Sequence, residues 1–166
     1  MKVSIIQCES KNKFPFNAFA LLIKKFQKTN YSHYALFYVN ETGSITVCDS
    51  TAYGVRRMPE KKFLKKYHIR KTFRCKKDVE RGMFLSWFEK HEGKSYGFRQ
   101  ILGLALKIFH LVKTNPFGKG SKRIICNELI VLFLNRFYGA NVKDTDSLDL
   151  VETQQLLFNL RIKSTS

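Results

Sequence analysis

The sequence predicts an α+β chain, with an antiparallel sheet in the first half and helices mostly in the second. Three observations carry this. Short runs rich in Tyr, Phe, Val and Ile alternate with turn residues up to about Cys75. Beyond it, apolar residues recur at three- and four-residue intervals. The chain has 166 residues, 44% apolar and 14% aromatic, enough for a packed core and too apolar for intrinsic disorder. No repeat, Pro-rich linker or low-complexity block divides it, so one domain over 1–166 is expected.

Taken in order, Val3 to Cys8 reads as a strand. After Pro15, Phe16, Phe19, Leu22, Ile23 and Phe26 mark one face of an amphipathic helix whose other face carries Lys24, Lys25 and Lys28. Ser32 to Val39, the turn Asn40-Glu41-Thr42-Gly43 and Ile45 to Cys48 form a β-hairpin. A strand over Gly54 to Met58, a short helix over Pro59 to Lys66 and a third hairpin-like strand over His68 to Cys75 follow. Helices are expected over Asp78 to His91, Phe98 to Val112, Cys126 to Phe137 and Asp149 to Leu160, with a Gly-rich basic loop, Asn115 to Arg123, before the third.

Lys and Arg number 30 against 13 Asp and Glu, a formal charge of +17. Such a field favours an anionic partner: a nucleic acid, a phospholipid surface or an anionic polymer of a cell envelope. Basic residues concentrate in Arg56 to Lys77, either an anion-binding face or a solvated surface. No nucleic-acid-binding motif accompanies them, so nucleic acid is the less favoured partner. The cysteines Cys8, Cys48, Cys75 and Cys126 have no zinc-finger spacing, so neither metal nor cofactor is expected. The segment Ile101 to Val112 is interrupted by Lys107 and His110 and is shorter than the roughly 20 apolar residues of a spanning helix. The N-terminus lacks the features of a secretory signal, which predicts a cytoplasmic protein with reduced thiols.

One set of residues could perform nucleophilic catalysis. Cys126 stands where a basic loop ends and an apolar helix begins. There the helix N-terminus, Arg123 and Lys122 favour a thiolate, and first-turn amides can face an oxyanion. A buried structural cysteine is the alternative. His33 opens a strand, a rigid mount for a general base. Asp49, at the end of the partner strand, either orients that imidazole or forms a turn with Ser50 and Thr51. Tyr34 should point to the opposite sheet face from His33 and serve packing. His68, His91 and His110 are less suited by position.

The order His33-Tyr34-Ala35-Leu36-Phe37-Tyr38, then Val47-Cys48-Asp49-Ser50 with Gly54-Val55, then Ser95-Tyr96-Gly97-Phe98, then Ile125-Cys126-Asn127-Glu128-Leu129 resembles the circularly permuted papain-like hydrolases. It is most similar to the YiiX-like amidases of the NlpC-type superfamily, across roughly Val3 to Leu150. The resemblance implies a permuted papain-like fold and a cysteine amidase or peptidase with Cys126 as nucleophile, His33 as base then acid, and Asp49 as orienting residue. Two departures stand out: Asp49 where the group more often carries Glu, and Gly97 where it carries Asp after Tyr. Tyr96 is a candidate second oxyanion donor, or a core tyrosine, and Arg123 a candidate substrate contact. The implied substrate is an amide in a peptide or an anionic polymer such as peptidoglycan, and the compact basic composition suits a bacteriophage product. A lipid acyl hydrolase or acyltransferase of the same fold, touching a membrane peripherally, is the second enzyme reading. A non-catalytic module binding nucleic acid or a host protein is the third.

Overall fold

The computed structural model describes residues 1–11, 24–25, 27–108, 111–113, 115–117, 122–145, 148–160 and 162–165. The helix expected from Phe16 to Phe26 falls almost wholly outside this set, as does His110.

The architecture is α+β. Six strands, β1 (Val3–Ser10), β2 (His33–Val39), β3 (Ile45–Thr51), β4 (Gly54–Pro59), β5 (Tyr67–Arg74) and β6 (Lys163–Thr165), form one sheet in the order β4-β3-β2-β1-β5-β6. Every pairing is antiparallel. The β2–β3 turn closes as its residues dictate: Asn40 Oδ1 accepts from the amides of Thr42 and Ser44, each at 3.0 Å, and Gly43 takes a positive φ of 77°. At the β3–β4 turn, Thr51 pairs with Gly54 around the two-residue loop Ala52-Tyr53.

Strand alternation divides the chain's apolar side chains between the two sheet faces. On one face Ile5, Tyr34, Leu36, Cys48 and Phe73 pack with α2 (Arg81–Glu89), α4 (Cys126–Tyr138) and α5 (Leu150–Asn159), contributing Phe84, Leu129, Phe133 and Leu157 to the larger core. Phe84 meets Tyr38 and Phe133 at centroid distances of 5.2 and 6.0 Å. On the other face Ile6, Ala35, Phe37, Val47 and Met58 are covered by Phe63 of the short α1 (Glu60–Leu64). Glu80 caps α2 through the amides of Gly82 and Met83, Asp149 caps α5, and Gly139, in the left-handed region, ends α4. The helix α3 (Phe98–Ile108) follows the segment 93–97.

Among the described residues, no helix is long and apolar enough to cross a membrane. Two features depart from the sequence reading. The fifth strand pairs with β1, closing a contact between the two ends of the first half of the chain. The C-terminal strand β6, which no apolar alternation announces, extends the sheet beyond β5. The basic stretch Arg56 to Lys77 spreads over β4, α1 and β5, with three strands between β4 and β5. Three of its arginines pair with carboxylates: Arg56 with Asp49, Arg57 with Glu92 and Arg70 with Glu9.

Candidate active site

The hairpin register places the first two residues. Ala35 pairs with Asp49, so His33, two residues earlier on β2, shares a sheet face with Asp49 and lies diagonally from it. His33 Nε2 is 3.4 Å from Asp49 Oδ2, in ion-pair range, and neither atom has a hydrogen-bond partner among the described residues. Both residues are buried, Asp49 completely. Tyr34 faces the other way, its hydroxyl donating to the Leu150 carbonyl at 3.1 Å, which makes it a packing residue as strand alternation requires.

Cys126 arrives from the opposite side of the sheet, at the end of the sheet where β2 begins and β3 ends. It is the first residue of α4 and is buried. Its approach is fixed by Ser50, whose hydroxyl donates to the Ile124 carbonyl at 2.5 Å, and by the Ile124 amide, which donates to the Ser95 carbonyl at 2.9 Å. Glu128 Oε2 accepts from the Ile125 amide at 3.4 Å and from Gln100 Nε2 at 3.2 Å. The Glu two places after the cysteine is thus a buried carboxylate at the helix N-terminus, where the dipole favours it. Asn127 donates to the Leu148 carbonyl, tying the same turn to the segment before α5.

These placements bring Cys126 close enough to His33 for its charge to act on the imidazole. Burial works to lower the imidazole pKa, but Cys126, then Asp49, outweigh it and push it up to about 9. For Asp49, burial works to raise the carboxyl, and its contacts with His33 and then Arg56 hold it below its ordinary value. Burial pushes the thiols of Cys8 and Cys48 well up and that of Cys75 to about 11.

No protein-family model matches this sequence, and no curated protein is significantly similar to it.

Three further residues at the site were not among the sequence candidates. Arg56 Nε donates to Asp49 Oδ1 at 3.0 Å, while its guanidinium lies 5.3 Å from the Tyr53 ring centroid. Its place was readable: a two-residue loop at Ala52-Tyr53 forces Asp49 opposite Arg56. Tyr67 stacks on His33 at 5.0 Å and on Phe63 at 4.6 Å, roofing the imidazole. No local signal announces it, because β5 reaches His33 only through its pairing with β1. Ser50 was read solely as a turn residue.

Tyr96 is half-buried, and the charges of Cys126, Tyr67 and Asp49 reinforce the effect of burial in raising its phenol. Arg123 is exposed and bridges to Ser95. Both line an open cleft of about 480 Å³ with Tyr53, Gly54, Ser95 and Phe98. His33, Asp49 and Cys126 are not among its described lining residues. Gly97 has a local explanation: a Cβ there would fall 1.6 Å from Gln100 Oε1 and 3.1 Å from Ile125 Cγ2. The space an acidic side chain would need at position 97 is filled by Gln100. His91 Nδ1 is 2.8 Å from the Trp87 carbonyl, and His68 is exposed on β5. Among the described residues, no group of three or more His, Cys, Asp or Glu side chains is arranged to hold a metal ion.

Proposed function

We propose that this chain is a cysteine hydrolase, an amidase or peptidase of the permuted papain-like type. Cys126 is the nucleophile, His33 the base and then the acid, and Asp49 the orienting residue. The observation that carries the proposal is the convergence of two buried side chains, Asp49 and Cys126, from separate elements on the buried imidazole of His33. With Nε2 turned to Asp49, Nδ1 is the nitrogen left for the thiol. His33 takes the Cys126 proton, and the thiolate attacks the amide carbonyl carbon to form a C–S bond. The first-turn amides of α4, which have no intrahelical acceptor, stabilise the oxyanion. The imidazolium then protonates the leaving amine as the C–N bond breaks. Water attacks the thioester, His33 accepts its proton, and the C–S bond breaks to release the carboxylic acid. Asp49, held by Arg56, stays ionised throughout. The basic surface concentrates the enzyme on an anionic polymer such as peptidoglycan, or on an acidic peptide.

One observation favours a second reading, an acyl hydrolase or transferase acting on lipid esters: Phe98, Leu102 and Leu111 are exposed at and beyond α3, beside exposed Arg99 and Lys113.

The test is acyl capture. After incubation with p-nitrophenyl acetate and acid quench, peptide mass spectrometry should locate a single rapidly formed acetyl group on Cys126. His33→Ala should slow its formation by at least about 100-fold. Acetylation scattered over lysines, with Cys126 unmodified, would refute the assignment.

A further inference from the structure

Beside the cleft that Tyr96 lines is a second one of about 370 Å³, bounded by Gly97, Arg99 and Gln100 at the start of α3, by Pro116 and Phe117, and by Lys122 and Arg123. Its walls are built. Asn115, buried, donates from Nδ2 to the Gln100 carbonyl at 2.9 Å and accepts at Oδ1 from the Phe117 amide at 3.0 Å, which clamps 115–117 against α3. Arg123 is held by the bridge to Ser95. Three cationic side chains therefore border one cavity, and no carboxylate is among its described lining residues.

What sets these cations apart is that they gather around one cavity. Arg56, Arg57, Arg70 and Arg81 each pair with a carboxylate. Arg99, Lys122 and Arg123 form no ion pair with any described residue. Glu128, which accepts from Gln100 of the cleft wall, is buried and also engaged by the Ile125 amide. Three uncompensated cations around a concave site repel one another unless an anion enters, and three positive charges match a multiply charged oxyanion better than a single carboxylate.

We infer that this cleft is a subsite for a phosphate group on the substrate of Cys126. The inference rests on the proposed hydrolase and specifies its substrate class: an acyl compound bearing a phosphoryl group near the scissile bond. Arg123 is three residues before Cys126, so their Cα atoms are at most about 11 Å apart. One substrate molecule can therefore span the Arg123 subsite and the Cys126 sulfur. Arg123 borders both clefts, and a substrate crossing it would lay one part on Tyr53, Tyr96 and Phe98 and its phosphate on Arg99 and Lys122.

Isothermal titration of the full chain with inorganic phosphate, in low-chloride buffer, tests this, with acetate as the carboxylate comparison. Phosphate should bind at one saturable site, more tightly than acetate. Arg99→Gln with Lys122→Gln should weaken it about tenfold or more, whereas Lys61→Gln with Lys62→Gln, which removes the same charge from exposed α1 positions, should change it less than twofold. Equal losses in the two variants, acetate binding as tightly as phosphate, or no saturable binding would overturn the subsite. Cys126→Ser should bind phosphate like the wild type, so a failed phosphate titration counts against the subsite alone and a failed acyl capture against the hydrolase alone.

Discussion

His33 carries the chemistry proposed for this protein, and its environment makes a definite demand on pH. Its folded-state pKa of about 9 lies above the roughly 6.5 of a free imidazole, because Cys126 and Asp49 outweigh burial. The folded protein therefore holds this proton more tightly than the unfolded chain. The stabilisation is fully present below about pH 6.5 and is lost as the pH rises through about 9. Urea unfolding of the wild type and of His33→Gln should show a stability gap that narrows across that window; a gap that stays constant from pH 6.5 to 10 contradicts the assignment. At this scale the sequence revealed much. The register of β2 on β3 follows from the Asn40 turn, which is why His33 and Asp49 were recognisable as neighbours, and the Ala52-Tyr53 loop fixes Arg56 opposite Asp49 in the same way. Tyr67 was not legible, because its place over His33 depends on β5 crossing to β1.

At the level of elements, the site depends on how the segment 93–97 is held against the β3–β4 turn. Gly54, at φ 85°, lets that happen: a Cβ there would fall 2.6 Å from the Lys94 carbonyl oxygen. The Val55 amide donates to that same oxygen at 2.9 Å. Gly54→Ala combines an unfavourable φ with a backbone clash and should cost about 1 to 3 kcal/mol. Gly43→Ala meets the same φ penalty in open space and should cost less, as urea titration would measure. Equal costs would mean that the approach to Lys94 is unimportant. The helices α2, α4 and α5 were readable from their apolar periodicity and flanking residues. The strand β6 was not, since three residues pairing with an edge strand need no apolar pattern of their own.

For the whole molecule, a charge of +17 first suggested a search for an anionic partner anywhere on the surface. The fold refines that search: ion pairs engage three of the eleven basic residues of the Arg56 to Lys77 stretch, while Arg99, Lys122 and Arg123 gather around one cleft close in sequence to Cys126. The central claim, that His33 activates Cys126, is tested most directly by alkylation with iodoacetamide at about pH 6, where an ordinary thiol of pKa near 8.5 reacts slowly. Peptide mapping should show Cys126 modified well ahead of Cys8, Cys48 and Cys75, and His33→Ala should abolish the difference. Equal rates at all four cysteines, or a fast Cys126 indifferent to His33→Ala, would contradict it.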